Sequence, residues 1–313
     1  MKLGSRLLLL VAILATTTPA ARATVISLAD IDSGLTSPTG TYRWLDVADQ
    51  AYNATYRSTY NYTQAAVQVE YDESAATLHG TLTATDLKPN FAYQLKLVGP
   101  PGTDSNERIG LAGRWWEQTW TGSGWSSGGN LNNKGDGSSP NPNDITYFGR
   151  RDIPDPTSPT GLQYLYSGYL VLDYFITDGN GDATVSFEAD SSYHVLWKTS
   201  QSTATANDGP VEVAAFDSVP SHPAYDGMSY SAGSVGIFGE WERLPTGGVF
   251  LDPGAYSCSL MLTEESFHGS GGAYAGAWAA AMGGDLQFTI VPEPSALALL
   301  AIACSALILR KRS

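Results

Sequence analysis

Cysteine and positive charge are both scarce in this chain. Two of its 313 residues are cysteine, and 17 lysines and arginines stand against 31 acidic residues. Cys304 lies in an apolar stretch near the C-terminus, which leaves Cys258 alone in the remainder, so no disulfide can form within that remainder. Stability must therefore come from a packed core, and we interpret Cys258 as a buried strand thiol rather than a nucleophile.

Familiar catalytic patterns are also missing. The sequence contains no G-x-S-x-G, no phosphate-binding loop and no dinucleotide fingerprint. The four histidines show no metal-ligand spacing; they are His79, His194, His222 and His268. These absences argue against an enzyme of a familiar type, and a zinc site would have to assemble entirely in three dimensions.

The last residues carry the clearest pattern. Val291-Pro-Glu-Pro-Ser295 is followed by an uncharged apolar stretch over residues 296–309 and by a basic end, Arg310-Lys311-Arg312-Ser313. As a helix, the apolar stretch would be about 21 Å long, which is short of the ~30 Å hydrocarbon core of a bilayer. The basic end would stay on the cytoplasmic side. We predict a transmembrane helix over residues 296–309 that attaches the chain to the membrane only transiently.

This tail resembles the PEP-CTERM sorting signal of Gram-negative bacteria. Apart from the apolar stretch, the matching residues are Pro292, Glu293, Pro294, Arg310, Lys311 and Arg312. The resemblance covers residues 292–313 and implies recognition by an exosortase, release or transfer near the Pro-Glu-Pro motif, and association with surface exopolysaccharide. The motif would then be a substrate for another enzyme and not a catalytic group of this chain.

The N-terminus predicts export. Lys2 and Arg6 precede the apolar run Leu7–Ala15, and Ala21-Arg22-Ala23 follows. This is the layout of a secretory signal peptide over residues 1–23. An N-terminal transmembrane anchor is the alternative, but the apolar run is short for a span.

The remaining ectodomain, residues 24–291, is strongly acidic. The two terminal signals hold six basic residues and one acid, so the ectodomain keeps 11 basic and 30 acidic residues and a formal charge of −19. Such a surface repels phosphate backbones, which argues against nucleic acid as a partner. The predicted partners are the Sec translocon, the exosortase and, transiently, the inner membrane.

The ectodomain is dominated by strand and turn patterns. Val67–Tyr71 and Thr77–Ala84 alternate around a turn and predict a hairpin. Further strands are predicted over residues 164–177, 183–189, 193–197, 211–216, 249–262 and 285–291. Short turns and the lack of alternating helices predict an all-β fold, an antiparallel β-sandwich of one domain with long loop insertions.

One turn has a more specific signature. The pattern Leu87-x-Pro89-x-x-x-Tyr93 resembles the tyrosine corner of fibronectin type III and other immunoglobulin-like sandwiches. The resemblance implies that the Tyr93 hydroxyl bonds the backbone across a turn between two sheets. Leu251-Asp-Pro-Gly-Ala-Tyr256 is a second turn-into-strand signature.

Two segments depart from the strand pattern. Residues 44–60 place apolar side chains at helical spacing and predict a helix, although their tyrosines and threonines also suit strands. Residues 99–159 are predicted to be a loop-rich insertion, because Gly128–Asn143 is rich in glycine, asparagine, serine and proline.

The insertion contains four tryptophans, Trp115, Trp116, Trp120 and Trp125. Sugar CH faces stack on flat rings while neighbouring amides bind hydroxyls, so these side chains suit a saccharide platform. The alternative is a satellite core packed under a long loop. Glycan contact predicts exposed, coplanar indoles, and buried indoles would contradict it.

Asp178-Gly-Asn-Gly-Asp182 begins like a calcium loop, with oxygen ligands at Asp178, Asn180 and Asp182. The twelfth position, which should be a bidentate glutamate, is Ala189. Because Asn-Gly between two alternating strands is a turn signal by itself, we predict a hairpin here. A Ca²⁺ site stays the alternative, and no other cofactor is predicted.

Two pairs of neighbouring acids would suit a glycosidase, which requires carboxylates about 5 to 9 Å apart. The pairs are Glu240 with Glu242, and Glu264 with Glu265. In a chain this acidic, solvated acids at strand edges are the simpler interpretation.

The sequence therefore predicts an exported, non-catalytic protein of the cell surface or extracellular matrix, associated with exopolysaccharide. One alternative is a carbohydrate-binding module that uses the Trp115–Trp125 loop. A second alternative is a glycoside-active enzyme.

Overall fold

The computed structural model describes residues 23–32, 42–131, 142–189, 195–198, 212–219, 222–239, 250–267 and 276–292. These ranges are mostly β-strand with antiparallel pairing, as the sequence predicts. Their strands are β1 (Ala23–Asp30), β2 (Ala66–Asp72), β3 (Ser74–Ala75), β4 (His79–Thr85), β5 (Ala92–Val98), β6 (Arg114–Thr119), β7 (Gly129–Asn130), β8 (Tyr164–Ile176), β9 (Ala183–Glu188), β10 (Val195–Lys198), β11 (Glu212–Phe216), β12 (Gly233–Gly239), β13 (Gly254–Phe267) and β14 (Gly276–Ile290). Their α-helices are α1 (Ala54–Thr59), α2 (Asp104–Ala112) and α3 (Pro142–Arg150), and short 3₁₀ turns lie at Tyr42–Trp44 and Tyr62–Gln64.

One hydrogen-bonded path of strands divides into two arms. The first arm runs β1–β2–β4–β9 and the second runs β14–β13–β5–β8–β6–β7. β1 joins them, because residues 23–28 pair with β2 while Ala29 and Asp30 pair with β14. β3 adds a short parallel pairing beside the end of β14. The remaining strands form a separate sheet in the order β10–β12–β11.

A single hydrophobic cluster takes side chains from both arms. Every second residue of β2 is buried, so that Val67 and Val69 face inward while their neighbours are exposed. This period of two is typical of a strand with one solvated face. Leu95 and Leu97 of β5, in the second arm, belong to the same cluster. The core therefore lies between the arms, and the face of the second arm turned away from it is called the outer face below.

The hydrogen bond predicted between the Tyr93 hydroxyl and the backbone of its turn is confirmed, at a point where the chain crosses between the arms. β4 belongs to the first arm and β5 to the second. The Tyr93 hydroxyl accepts a hydrogen bond from the backbone N–H of Lys88 at 3.2 Å. At the second signature, the Tyr256 hydroxyl donates to the backbone carbonyl of Asp252 at 2.7 Å. In both turns a tyrosine on the following strand therefore ties the turn to that strand.

The β2–β4 hairpin is confirmed, but the hairpin predicted at Asp178–Asp182 is wrong. β8 pairs with β5 and β6, whereas β9 pairs with β4, so this turn carries the chain from the second arm to the first. The Asp178 carboxylate accepts hydrogen bonds from the backbone N–H groups of Asn180 and Asp182, both at 2.8 Å. Such an Asx turn forms locally and needs no pairing between its flanking strands.

The helix predicted over residues 44–60 is mostly absent. Only Ala54–Thr59 is α-helical. Ahead of it, the Asp46 carboxylate accepts hydrogen bonds from two backbone N–H groups of its own turn, and Asp49 has a φ of 61°. In the first half of the segment, hydrogen bonds to the Asp46 side chain and the positive φ of Asp49 thus take the place of a regular helix.

The insertion over residues 99–159 is more regular than predicted. Its described part contains α2, α3 and β6, and β6 extends the second arm by pairing with β8. α2 begins because the Thr103 hydroxyl accepts a hydrogen bond from the N–H of Asn106 at 3.1 Å. A Cβ on Gly168 of β8 would lie 2.4 Å from the Asn106 carbonyl oxygen. Glycine, which favours a loop in the sequence, here lets a helix approach the sheet.

The three-stranded sheet covers part of the outer face. Val235 and Ile237 of β12 pack with Ala92 of β5 in a second apolar cluster. β12 was not predicted, because its alternation is interrupted by glycine. β14 also begins earlier than expected, at Gly276 rather than residue 285, as alanines and glycines there take part in the pairing with β13.

Candidate functional site

The tryptophans of the insertion do not form one surface. Trp115 and Trp116 are neighbours in β6, so their side chains lie on opposite faces. Trp115 is fully buried and stacks on Tyr147 of α3, with ring centroids 3.8 Å apart and planes 12° apart. Its Nε1 donates to the Asp144 carboxylate at 3.0 Å. Trp115 therefore belongs to a satellite core under α3 and is not available to a glycan.

Trp120 and Trp125 face each other beyond the end of β6. Their ring centroids are 5.4 Å apart and their planes meet at 67°, an edge-to-face arrangement. Trp120 Nε1 donates to the Thr157 hydroxyl at 3.0 Å, and both indoles are half-buried. Rings at this angle do not form the coplanar platform that the glycan hypothesis required.

Trp116 lies on the outer face of the second arm, where it lines a pocket of about 180 Å³. A cavity of about 150 Å³ admits benzene, so a pocket of this size holds a single six-membered ring. β5, β6, β7, β8 and β13 each supply at least one wall residue. Its aromatic and apolar walls are Val98, Trp116, Tyr169 and Met261. Its other wall residues are Lys96, Asn130 and Ser167.

A glycine sets the position of the Trp116 indole. Gly128 has a φ of 78°, in the left-handed region that favours glycine. A Cβ at this position would lie 2.3 Å from Trp116 Nε1. The turn ahead of β7 can therefore pack against the edge of the indole only because residue 128 has no side chain.

The polar groups of the pocket are held by specific partners. The Tyr169 hydroxyl donates to Asn130 Oδ1 at 2.5 Å, which leaves the Asn130 amide nitrogen as a donor. Lys96 Nζ pairs with Glu265 Oε1 at 2.9 Å, and both side chains are almost fully buried. Because Glu265 balances the charge of Lys96, the pocket is polar and aromatic without a net charge from this pair.

The neighbouring acids Glu264 and Glu265 are separated by β13 itself. Their exposed fractions are 0% and 1%, so the prediction of solvated strand-edge acids is wrong. Glu265 faces outward to Lys96, whereas Glu264 faces the core. There Arg43 donates to Glu264 through Nε at 2.9 Å and Nη2 at 2.7 Å, and Lys88 Nζ donates at 2.6 Å. Carboxylates on opposite faces of a strand cannot converge on one glycosidic bond.

The surroundings of Glu264 keep it ionised in the core. The Tyr62 hydroxyl donates to Glu264 Oε1 at 2.6 Å, and the Lys88 ammonium lies 4.4 Å from the ring centroid of Trp44. Burial raises the pKa of Glu264, but the charge of Lys88 and the hydrogen bonds from Arg43 outweigh it and hold this pKa below its ordinary value. Burial lowers the pKa of Lys88 to about 8. This cluster is enclosed by the core and has no part in the pocket.

Sequence reasoning found only Trp116 among the pocket residues. Lys96 could have been noticed, because Gln94 and Lys96 alternate with core residues in β5 and mark a polar stripe on its outer face. Asn130 lay in a segment interpreted as loop, and Tyr169 and Ser167 lie in a strand already assigned. Nothing in their local patterns shows that five strands bring them together.

The calcium alternative stays a prediction. Asp178 uses Oδ1 for two bonds within its turn, and Asp182 Oδ1 accepts from the N–H of Asp86 at 3.3 Å. Across the described ranges, no group of three or more histidine, cysteine, aspartate or glutamate side chains is arranged to hold a metal ion.

Several predicted residues lie outside the described ranges. They are residues 1–22 of the signal peptide, His194, Glu240, Glu242, His268, Glu293, Pro294, the apolar stretch 296–309, Arg310, Lys311 and Arg312. Pro292 is described and is exposed just beyond β14. In the part of the chain that is described, no helix has the length and apolarity needed to cross a membrane.

Similarity to known proteins gives no further guidance to this site. No protein-family model, no curated protein and no solved structure matches the chain.

Proposed function

We propose that this chain is an exported, non-catalytic protein of the cell surface or extracellular matrix that binds one sugar residue of a polysaccharide in the Trp116 pocket. The observation that carries the proposal is an indole beside an amide and a hydroxyl in a pocket of about 180 Å³. Sugar rings bind proteins through stacking of their CH faces on aromatic rings and through hydrogen bonds to their polar substituents. Trp116 offers the first interaction, and Asn130 and Ser167 offer the second.

Export and sorting rest on the two terminal patterns. β1 begins at Ala23, the last residue of the proposed signal peptide (1–23), and β14 ends at Ile290, ahead of the tail (292–313). Pro292 directly follows the last strand, where proline keeps the chain extended and readable by a processing enzyme. The partners in this proposal are the Sec translocon, an exosortase, the inner membrane in transit, and exopolysaccharide.

We interpret the two arms as the sheets of an immunoglobulin-like sandwich. The shared core between the arms and the tyrosine corner at Tyr93 support this interpretation. In such a fold each sheet has one face turned away from the core, and the Trp116 pocket lies on that face of the second arm.

Binding is favoured over hydrolysis by the position of the acids. A glycosidase places two carboxylates on either side of the scissile bond. The described side chains that line the pocket carry no carboxylate, and Glu265, which contacts the wall residue Lys96, is paired with it.

The test of binding is a glycan array probed with the full chain and with two tryptophan variants. Trp116→Ala should abolish retention on the array, whereas Trp125→Ala, which changes an indole beyond the end of β6, should leave retention unchanged. Retention that depends on Trp125 and not on Trp116 would move the site to the Trp120–Trp125 pair. A folded chain retained by no glycan would end the proposal.

The test of sorting is separate. Alanine in place of Pro292, Glu293 and Pro294 should leave the precursor in the inner membrane when cell fractions are probed by immunoblot. Unchanged release would refute the sorting proposal but would leave the pocket untouched.

A further inference from the structure

Two polar groups in the Trp116 pocket remain able to bond a ligand. Asn130 uses Oδ1 to accept from Tyr169, and no described residue accepts a hydrogen bond from its Nδ2. The Ser167 hydroxyl, on the same pocket wall, likewise has no side-chain hydrogen bond to another described residue. The pocket therefore presents one fixed donor and one hydroxyl that can accept.

We propose that the pocket selects a sugar that carries an acetamido group. This inference rests on the proposed function, because it names the sugar class that the same pocket takes. A secondary amide has one carbonyl acceptor and one N–H donor. In our proposal Asn130 Nδ2 donates to the carbonyl, and the sugar N–H donates to Ser167 Oγ.

The apolar walls of the pocket suit the methyl group of the acetamido substituent. Val98 and Met261 line the pocket together with the ring of Trp116. The methyl of an acetamido group gains from such contacts, whereas a free hydroxyl buried there without a partner loses its hydrogen bonds to water. An unsubstituted hexose is therefore a poorer match than its acetamido counterpart.

The charge balance argues against an acidic sugar as the preferred ligand. Lys96 is the cation in the wall, but its ammonium is paired with Glu265 at 2.9 Å. A sugar carboxylate at this place would approach Glu265 as well as Lys96, and like charges in a partly buried site repel. A neutral amide avoids this repulsion.

The first experiment compares matched sugars on the full chain. An array that carries each glycan with and without acetamido groups identifies which members are retained. β-1,4-linked trimers of N-acetylglucosamine and of glucose are then titrated while ligand NMR signals are followed. We expect the acetamido trimer to bind at least about tenfold more tightly. The glucose trimer cannot make the two amide hydrogen bonds, and a loss of this kind ordinarily weakens binding by about this factor.

The outcomes separate this inference from the proposed function. Equal or tighter binding of glycans without acetamido groups overturns the inference and leaves polysaccharide binding in place. Retention of no glycan at all overturns both. A preference for uronic acid glycans also overturns the inference.

Two variants locate the preference. Asn130→Asp keeps an acceptor for Tyr169 but loses the amide donor, and Ser167→Ala removes the hydroxyl; each should weaken the acetamido trimer about tenfold. Ser186→Ala, at an exposed position of β9 in the first arm, is the matched control and should change nothing. Should Asn130→Asp fail to fold, Ser167→Ala still decides. Binding within twofold of the unmodified chain by folded Asn130 and Ser167 variants contradicts the proposal.

Discussion

The inner and outer faces of the second arm use the same residue types for different purposes. Glu264 faces the core and is enclosed by two cations and a tyrosine, while its neighbour Glu265 faces outward and pairs with one lysine beside a pocket. Trp115 fills a satellite core, while its neighbour Trp116 lines that pocket. Successive side chains of a strand point to opposite faces of the sheet. Two neighbouring residues of the same type can therefore have different roles, one in the core and one at the pocket.

The largest expected effect comes from removing the two neighbouring acids separately. Glu264→Ala leaves Arg43 and Lys88 together in the core and should lower the free energy of unfolding by about 3–5 kcal/mol. Glu265→Ala leaves one cation beside a pocket that water can enter, so the loss should be about 1–3 kcal/mol. Urea unfolding measures both. Equal losses would show that the two faces do not differ in how they hold charge.

The neighbouring tryptophans make the second test. Trp115→Ala opens a cavity beside Tyr147 and should cost about 3–5 kcal/mol of stability. Trp116→Ala should cost roughly 1–2 kcal/mol, because its indole is only half-buried, yet it should abolish glycan retention. A Trp116 variant as unstable as the Trp115 variant would place both indoles in the core and remove the contrast.

The ionisation of Glu264 gives a third, smaller test. Its folded pKa lies below the ordinary value of 4.5, so its stabilising effect is present above pH 4.5 and is lost as the pH falls through the folded pKa. Glu264→Gln cannot ionise. The difference in unfolding free energy between the unmodified chain and this variant should therefore shrink below about pH 4.5, by about 1.4 kcal/mol for each unit of pKa lowering. A difference that is constant with pH would contradict an ionised Glu264.

Two glycines with similar backbone geometry make the finest test. Gly122 has a φ of 88° with no atom near its missing Cβ, whereas Gly128 has a φ of 78° and lies against Trp116. Gly122→Ala should cost about 1 kcal/mol through backbone strain alone. Gly128→Ala should cost about 1–3 kcal/mol more and should weaken glycan binding by displacing the indole. Thermal unfolding and the glycan array report the two effects, and equal behaviour would mean that the indole adapts freely.

Local patterns in the sequence were reliable where local chemistry decides the structure. Val67–Tyr71 alternates and forms a strand, and the turn Leu87-x-Pro89-x-x-x-Tyr93 contains the predicted hydrogen bond between the Tyr93 hydroxyl and the backbone. The turn at Asp178–Asp182 was also recognised as a turn, but its strands belong to different arms. An Asx turn is compatible with either arrangement, so only the pairing of distant strands distinguishes them.

The candidate site was much less accessible from the sequence. Trp116 was selected as one of four equivalent tryptophans, and the sequence offered no reason to separate it from Trp115. Lys96, Asn130 and Tyr169 come from three strands that lie far apart in the chain. Their convergence depends on the order β13–β5–β8–β6–β7, which no local pattern encodes.

The sequence by itself determined that this chain is mostly β, that its stability cannot rest on a disulfide within residues 24–291, and that these residues carry an excess of acidic side chains. Those properties follow from strand periodicity, residue counts and charge, which do not depend on how the strands are arranged. The tertiary structure alone decided which of two adjacent acids faces outward to Lys96 and which of two adjacent tryptophans lines the pocket. Strand geometry makes neighbours alternate between faces, but only packing against a core and against other strands determines which face is buried and which is left for a ligand.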